Sequence, residues 1–152
     1  MDLENILQDH RGRLARIARQ YGGGDWQDLL QEIRLALWKS GGSFEGRASI
    51  DTWVYRVALN TALSHVRKKR PEITGTEVPE TLCSSSSARD PIRVLETFLR
   101  SLGTVNRAVL LMDLEGLTRH EIGEVLGLSP GAVAVRMTRL KQRFDQDYVE
   151  SR

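Results

Sequence analysis

Four basic side chains lie close together near the carboxyl end of the chain, and no acidic side chain interrupts them. They are Arg136, Arg139, Lys141 and Arg143. Cationic side chains in such a run bind phosphate oxygens, and an arginine can also hold a guanine base edge through two parallel hydrogen bonds. These residue types therefore predict contact with a nucleic acid, both at its backbone and at its bases.

The basic run lies in a segment that has the pattern of a helix-turn-helix. Thr118 and Glu121 form a capping box at the start of a first helix, which Gly127 ends. Ser129 can cap a second helix, whose first position is Pro130. Apolar residues recur at helical spacing for the core: Ile122, Val125, Leu126, Val133, Met137, Leu140 and Phe144. The pattern predicts binding to double-stranded DNA, and the alternative is an amphipathic hairpin with a solvated basic side.

A second basic surface lies far from the first one in the sequence. Residues 52–71 contain no acidic side chain, but they contain Arg56, Arg67, Lys68, Lys69 and Arg70. The net charge of +2 hides this distribution, because residues 1–70 hold 12 basic and 8 acidic side chains. Two separate contacts with anionic partners are therefore implied.

The composition argues against several other classes of protein. The single cysteine, Cys83, can form neither an internal disulfide nor a multi-cysteine zinc site, and it fits the reducing cytoplasm. His10, His65 and His120 fall on three different predicted helices, so we expect no metal, cofactor, small-molecule substrate or enzymatic activity. No apolar segment reaches the roughly 18 residues of a spanning helix, and no export signal is visible, so we expect no membrane insertion.

Helical periodicity predicts three helices in the first part of the chain. The first covers about the first twenty residues, with His10 at the edge of its buried side. Asp25 can cap the second helix, which continues to about Lys39. The third runs from about Ile50 to the basic run at Arg67, with His65 on the surface.

One segment lacks this periodicity and divides the chain. Residues 71–90 contain two prolines and four consecutive serines, which predicts a linker. Two more helices, over 91–102 and 104–114, lead into the helix-turn-helix. We therefore expect an all-α fold with two small helical domains, residues 1–70 and 91–152, joined by a flexible linker.

In two segments, the chain resembles a bacterial RNA polymerase sigma factor of the sigma-70 family, in the extracytoplasmic-function (ECF) group. DWQDLLQEIRLALW at 25–38 and FEGRASIDTWVYRVALNTALSHVRKKR at 44–70 resemble sigma region 2. LRSLGTVNRAVLLMDLEGLTRHEIGEVLGLSPGAVAVRMTRLK at 99–141 resembles region 4. The resemblance implies binding to the β′ clamp helices and β flap of core polymerase, recognition of −35 and −10 promoter elements as duplex and melted DNA, and control by an anti-sigma factor.

The resemblance places the contacts with core polymerase on the second helix. They are Asp28, Gln31, Glu32 and Leu35. Helical spacing puts these residues opposite the apolar stripe, as a polar face with one exposed leucine that suits a partner helix. An ordinary solvated helix face is the alternative.

The loop at 43–49 and the outward side of the third helix resemble the part of region 2 that opens the −10 element. Melting requires a pocket for a flipped base, and it requires charge and polar groups along the exposed strand. The predicted contacts are Phe44, Arg47, Tyr55, Arg56, Asn60, Ser64, Arg67 and Lys68. Trp53 is expected in the core rather than as a stacking platform, which leaves Tyr55 as the exposed aromatic candidate.

In the recognition helix, Ala134, Val135, Thr138 and Arg139 are expected to face the DNA. The first two depart from the family, which carries basic or hydroxyl residues there, so an unusual −35 preference with contacts to thymine methyl groups is predicted. Phosphate contacts complete the −35 set together with Arg136: Arg119, Lys141 and Arg143.

A helix-turn-helix regulator that binds DNA without polymerase is the rival interpretation. Such a regulator needs a dimer interface or a ligand pocket in its first domain, and dimeric readers favour palindromic sites. The first domain instead carries a polar helix face and a second basic surface. This difference favours the sigma factor.

Overall fold

The structure is a computed structural model that describes residues 2–69 and 90–149. Every regular element in these two ranges is helical, and the chain divides into two compact units, residues 1–74 and 75–152. The all-α class with two helical domains is therefore confirmed. Residues 71–89 of the predicted linker, including Cys83, lie outside the described residues, and its last residue, Asp90, caps the next helix.

Residues 2–69 of the first unit form four α-helices. They are α1 (Leu3–Asp9), α2 (Arg11–Gly22), α3 (Trp26–Ser40) and α4 (Ile50–Lys69), with short 3-10 turns at Gly23–Asp25 and Gly41–Ser43. The prediction of one continuous first helix is wrong, because the helix is interrupted at His10. Its imidazole Nδ1 lies 2.8 Å from the carbonyl oxygen of Ile6, and its Nε2 lies 2.7 Å from the Asp51 carboxylate, so the ring ties the break to α4.

Helix α4 is buried over a much wider arc than the sequence indicates. Its buried residues are Thr52, Trp53, Val54, Tyr55, Ala58, Leu59, Ala62 and His65. The reason is that α4 packs against both α2 and α3, so two of its sides leave solvent. The expected burial of Trp53 is confirmed, whereas the expected surface position of His65 and exposure of Tyr55, which is 0% exposed, are wrong.

Residues 90–149 of the second unit also form four α-helices. They are α5 (Pro91–Ser101), α6 (Thr104–Leu114), α7 (Arg119–Leu126) and α8 (Pro130–Phe144), followed by a π-helical turn at Asp145–Val149. That turn brings Tyr148 against Phe98 and Phe144, with ring centroids 6.0 and 5.1 Å apart. The aromatic cluster joins the end of α8 to α5, so the recognition helix is anchored at its carboxyl end.

The helix-turn-helix forms as its sequence predicts. The Thr118 hydroxyl accepts from the Glu121 amide at 3.1 Å, and the Glu121 carboxylate accepts from the Thr118 amide at 3.0 Å. Gly127 has φ +73°, a left-handed conformation that favours glycine, and Ser129 accepts from the Ala132 amide at 3.1 Å.

The turn also depends on a second glycine, Gly123, which the sequence pattern did not reveal. The Leu128 amide donates to the Gly123 carbonyl oxygen at 2.9 Å. A Cβ atom added at Gly123 would overlap the carbonyl oxygen of Leu128, which belongs to the backbone and cannot rotate away. Glycine at this position therefore sets how closely the turn folds back on α7.

Candidate polymerase and promoter interfaces

The α3 residues that were predicted to dock on polymerase are exposed, and the exposed surface around them is larger than the sequence indicated. Asp28, Gln31 and Glu32 are exposed, and Leu35 is 56% exposed. Trp38, which the sequence analysis missed, is 67% exposed. Its spacing could have revealed it, because positions 28, 31, 35 and 38 follow the three- and four-residue steps by which one helix faces another in a coiled coil.

A hydrogen-bond contact and an ion pair connect the α3 side of the unit to α4. His65 Nδ1 lies 3.3 Å from Glu32 Oε2, and Lys69 Nζ lies 2.5 Å from Asp25 Oδ2. The hydrogen bond and the charge of Lys69 lower the pKa of Asp25, and Asp25 in turn raises the pKa of Lys69. The expectation that Asp25 caps α3 is wrong, because its side chain makes no capping hydrogen bond.

The loop before α4 is organised around an aromatic pair. Phe44 lies against Trp53, with ring centroids 5.4 Å apart, so the predicted loop aromatic covers the buried tryptophan. Arg47 is almost fully exposed and pairs with Glu45 at 3.0 Å. The loop thus presents one cation to solvent beside a half-buried ring.

The beginning of α4 is fixed by capping and by charge. Ser49 accepts a hydrogen bond from the Thr52 amide at 3.1 Å. Asp51 meets Arg13 at 3.1 Å as well as His10. Partial burial raises the pKa of Asp51, but hydrogen bonds from His10 and Arg13, together with their charge, outweigh that effect and lower it overall.

Most predicted −10 residues on α4 form one outward strip. Asn60, Arg67 and Lys68 are exposed, whereas Arg56 and Ser64 are half-buried. The Arg67 guanidinium donates to the Ser64 hydroxyl at 3.4 Å. Tyr55 does not join this strip, because its ring lies in the core.

The recognition helix α8 exposes most of the predicted −35 residues. Val135 is 50% exposed, Thr138, Arg139 and Lys141 are exposed, and Ala134 is half-buried. The Thr138 hydroxyl donates to the Ala134 carbonyl oxygen at 3.0 Å, so its proton is already used within the helix. Arg119, at the start of α7, is exposed as well.

A groove of about 520 Å³ runs between α6 and α8. It is lined by Asn106, Ala132, Val135, Arg136, Arg139, Leu140 and Arg143. Arg136 Nη1 donates to Asn106 Oδ1 at 2.7 Å. Arg143 lies at the far end, with its Nε 3.7 Å from Asp147 and its guanidinium 5.8 Å from the Phe98 ring. Two of the predicted cations are thus held by neighbouring residues of the same unit.

The described residues contain neither a cluster of metal ligands nor a helix suited to cross a membrane. Within 2–69 and 90–149, no three His, Cys, Asp or Glu side chains come together as metal ligands would. None of the helices described in these ranges has the length and apolar character needed to cross a bilayer. The two units therefore define a helical protein with a helix-turn-helix in one unit and a second basic surface in the other.

Comparison with known families places the chain within this class. The profile of sigma-70 region 2 matches residues 6–72, and that of sigma-70 region 4 matches residues 92–144. The chain therefore belongs to the sigma-70 family of RNA polymerase sigma factors, in the ECF group.

Individual relatives agree with this assignment. The ECF RNA polymerase sigma-E factor of Escherichia coli K12 is 26% identical over 149 residues, covering 85% of this chain and 76% of that protein. The ECF sigma factor SigM of Mycobacterium tuberculosis is 24% identical over 145 residues, covering 93% of this chain and 74% of SigM. The fold resembles RpoE in its complex with the anti-sigma factor NepR from Bartonella quintana, with a TM-score of 0.76 at 18% identity over 96% of each chain.

Proposed function

We propose that this protein is an ECF-type sigma factor that binds core RNA polymerase, recognises −35 and −10 promoter elements and initiates transcription. The observation that carries the proposal is the succession of regions 2 and 4 in one chain, in separate compact units. Two unlike domains suit two unlike DNA elements, whereas a dimeric regulator reads two copies of one element. We further propose that it acts in the cytoplasm and has no enzymatic activity, because the polymerase performs the nucleotide chemistry.

We propose that α3 docks on the β′ clamp helices through Asp28, Gln31, Glu32 and Leu35, with Trp38 as an additional anchor. Exposed tryptophan and leucine at coiled-coil spacing on a polar face can bury apolar area against a partner helix. Region 4 would meet the β flap. The two contacts together would load the protein onto polymerase.

At the −10 element, the proposed contacts are Phe44, Arg47, Arg56, Asn60, Ser64, Arg67 and Lys68. Exposed cations at the end of α4 can grip the phosphates of a melted strand, while Asn60 can satisfy base edges. The loop with the Phe44–Trp53 pair is the candidate surface for a flipped base, because Tyr55 is buried.

At the −35 element, Arg139 is the proposed reader of a guanine, and Val135 is the proposed contact for a thymine methyl group. Both are exposed on α8, and a bidentate arginine contact discriminates by about 1–3 kcal/mol. Ala134 and Thr138 complete the base-facing surface, whereas Arg119, Arg136, Lys141 and Arg143 would contact phosphates. The half-buried Ala134 and the backbone-bonded Thr138 supply no new donor to base edges, which supports an unusual −35 preference.

The domains are proposed to act through a tether, residues 71–90, between residues 1–70 and 91–152. Free protein should bind promoter DNA weakly, because polymerase must fix the spacing of the two domains before both engage. An anti-sigma factor is a further proposed partner. The fold similarity to a sigma factor crystallised with its anti-sigma factor is consistent with such control.

Run-off transcription with purified core polymerase and a library of promoter fragments tests the proposal. Start-specific transcripts should require the protein and should fall when Asp28 and Gln31 are changed to alanine, or when Arg139 is changed to alanine. Glu4→Ala, an exposed change on α1, is the matched control and should leave transcription unaltered. If the protein never joins core polymerase and instead binds a palindromic site alone, the stand-alone regulator replaces the sigma factor.

A further inference from the structure

In the groove between α6 and α8, a hydrogen bond to a residue of α6 orients the guanidinium of Arg136. Arg136 donates from Nη1 to Asn106 Oδ1 at 2.7 Å across the two helices. A guanidinium only donates hydrogen bonds, so the Asn106 atom that faces it must be the carbonyl oxygen of the side chain. The contact therefore determines the amide orientation and restrains the guanidinium.

The surroundings of this pair are positive. Arg136, Arg139 and Arg143 all line the groove, and the lining contains no carboxylate, although Asp147 pairs with Arg143 at the far end. The three positions are separated by three and four residues, so they lie along one side of α8. Lys141 is not part of this lining. The side of α8 that faces α6 thus concentrates the charge of the recognition helix.

We propose that Asn106 is a positioning residue that holds Arg136 for a phosphate of the promoter backbone beside the −35 element. This inference rests on the proposed function of the protein. Asn106 accepts a hydrogen bond from one donor of the Arg136 guanidinium, and the remaining donors can bind an anion. The cation is therefore already oriented when it meets the phosphate. The DNA contact on this side is then built by α6 and α8 together rather than by the recognition helix alone.

An amide is the side chain that such a role requires. A carboxylate at position 106 would hold the guanidinium more strongly, but it would cancel the charge that attracts the phosphate. An alanine would preserve the charge and release the guanidinium. Asparagine fixes the direction and keeps the charge, and these two properties can be separated by substitution.

The test uses the full chain assembled with core polymerase and measures its affinity for promoter DNA at several salt concentrations. Each phosphate contact contributes about 0.9 to the slope of log K against log salt. Arg136→Ala should weaken binding and reduce the slope by about that amount. Asn106→Ala should weaken binding about threefold to tenfold with the slope unchanged, because the cation remains but must be ordered on binding.

Asn106→Asp is the decisive variant, because it should lower both the affinity and the slope while the fold is kept. Position 106 is the third residue of α6, where a negative charge is favourable to a helix, so impaired binding would not reflect unfolding. In a double-mutant cycle, Asn106→Ala should have no further effect once Arg136 is alanine. Lys141→Ala is the control, and it should lower the slope to the same extent with or without Asn106.

The results separate two kinds of failure. If the unaltered protein with core polymerase shows no promoter affinity, the proposed function fails and this inference fails with it. If the unaltered protein binds promoters, but Asn106→Asp leaves the salt slope unchanged or Asn106→Ala acts equally without Arg136, the positioning role alone is overturned.

Discussion

The two helices proposed to contact promoter DNA, α4 and α8, differ in how much of each is buried in its own unit. Helix α4 buries eight of its 20 residues because α2 and α3 flank it, and its cations gather at its carboxyl end. Helix α8 buries three of its 15 residues, and its four cations lie between positions 136 and 143, from the middle of the helix towards its carboxyl end. A central helix can offer only a strip and an end to a partner, whereas a helix at the surface of its unit can offer most of its circumference.

Substitution of Tyr55 is the strongest way to test the central position of α4. Tyr55→Ala should destabilise the first unit by about 3–5 kcal/mol, because it removes a fully buried aromatic side chain. Tryptophan fluorescence during urea unfolding should report this unit selectively, since all three tryptophans, Trp26, Trp38 and Trp53, lie in it. Asn60→Ala is the exposed control on the same helix. An equally small stability change for both variants would contradict the burial of Tyr55.

A change in the turn tests how α8 is presented to DNA. Gly123→Ala should destabilise the second unit by about 1–3 kcal/mol, because the added methyl group overlaps the Leu128 carbonyl oxygen. Circular dichroism should detect the loss, while the fluorescence transition of the first unit should be unchanged. Gly131→Ala is the matched control, since its Cβ meets only Ser129 Oγ at 3.9 Å and the helix gains stability. Equal stability of the two variants would exclude a close turn.

Helix α3 exposes two large apolar side chains, Leu35 and Trp38, whereas the exposed large apolar side chain of α4, Ile50, lies at its first position. Trp38→Ala should lower the affinity for core polymerase by about 2 kcal/mol, roughly thirtyfold, because tryptophan is a typical anchor of an interface. Its fold should persist, since the side chain is 67% exposed. Competition binding against the unaltered protein measures the effect, with Glu4→Ala as the control. Unchanged affinity would remove Trp38 from the docking surface.

The smallest expected effect concerns the ionic contacts at the start of α4. The folded state lowers the pKa of Asp51, so its contribution to stability is present above the unfolded pKa of about 3.9 and is lost as the pH falls through the lower folded value. Asp51→Asn should therefore reduce unfolding midpoints at pH 7, and its difference from the unaltered protein should shrink below about pH 4.

The exposed pair of Asp25 with Lys69 provides the contrast for this measurement. Solvent screens the pair, so Asp25→Asn should change the unfolding midpoint less than Asp51→Asn does at pH 7. A difference between unaltered protein and Asp51→Asn that stays constant from pH 7 to about pH 2.5 would contradict the role of the Asp51 carboxylate.

Much of the fold could be predicted from sequence where the signals are local. The capping box at Thr118, the left-handed Gly127 and the Ser129 cap each depend on residues within a few positions of one another. The amphipathic stripe of α8 was equally readable, because one side of that helix meets the core and the other meets solvent. The exposure of Tyr55 was predicted wrongly, because a periodic pattern assumes that a helix has a single buried side, and α4 packs against both α2 and α3.

The sequence by itself determined the helical class, the order of the two sigma regions and the turn of the helix-turn-helix, because cap chemistry and helical periodicity act over a few residues. The tertiary structure decided the burial of Tyr55 and His65, the break at His10 and the hydrogen bond between Asn106 and Arg136. Each of these depends on contacts between residues far apart in the chain. Their partners are set by how helices pack against one another, which local spacing does not encode.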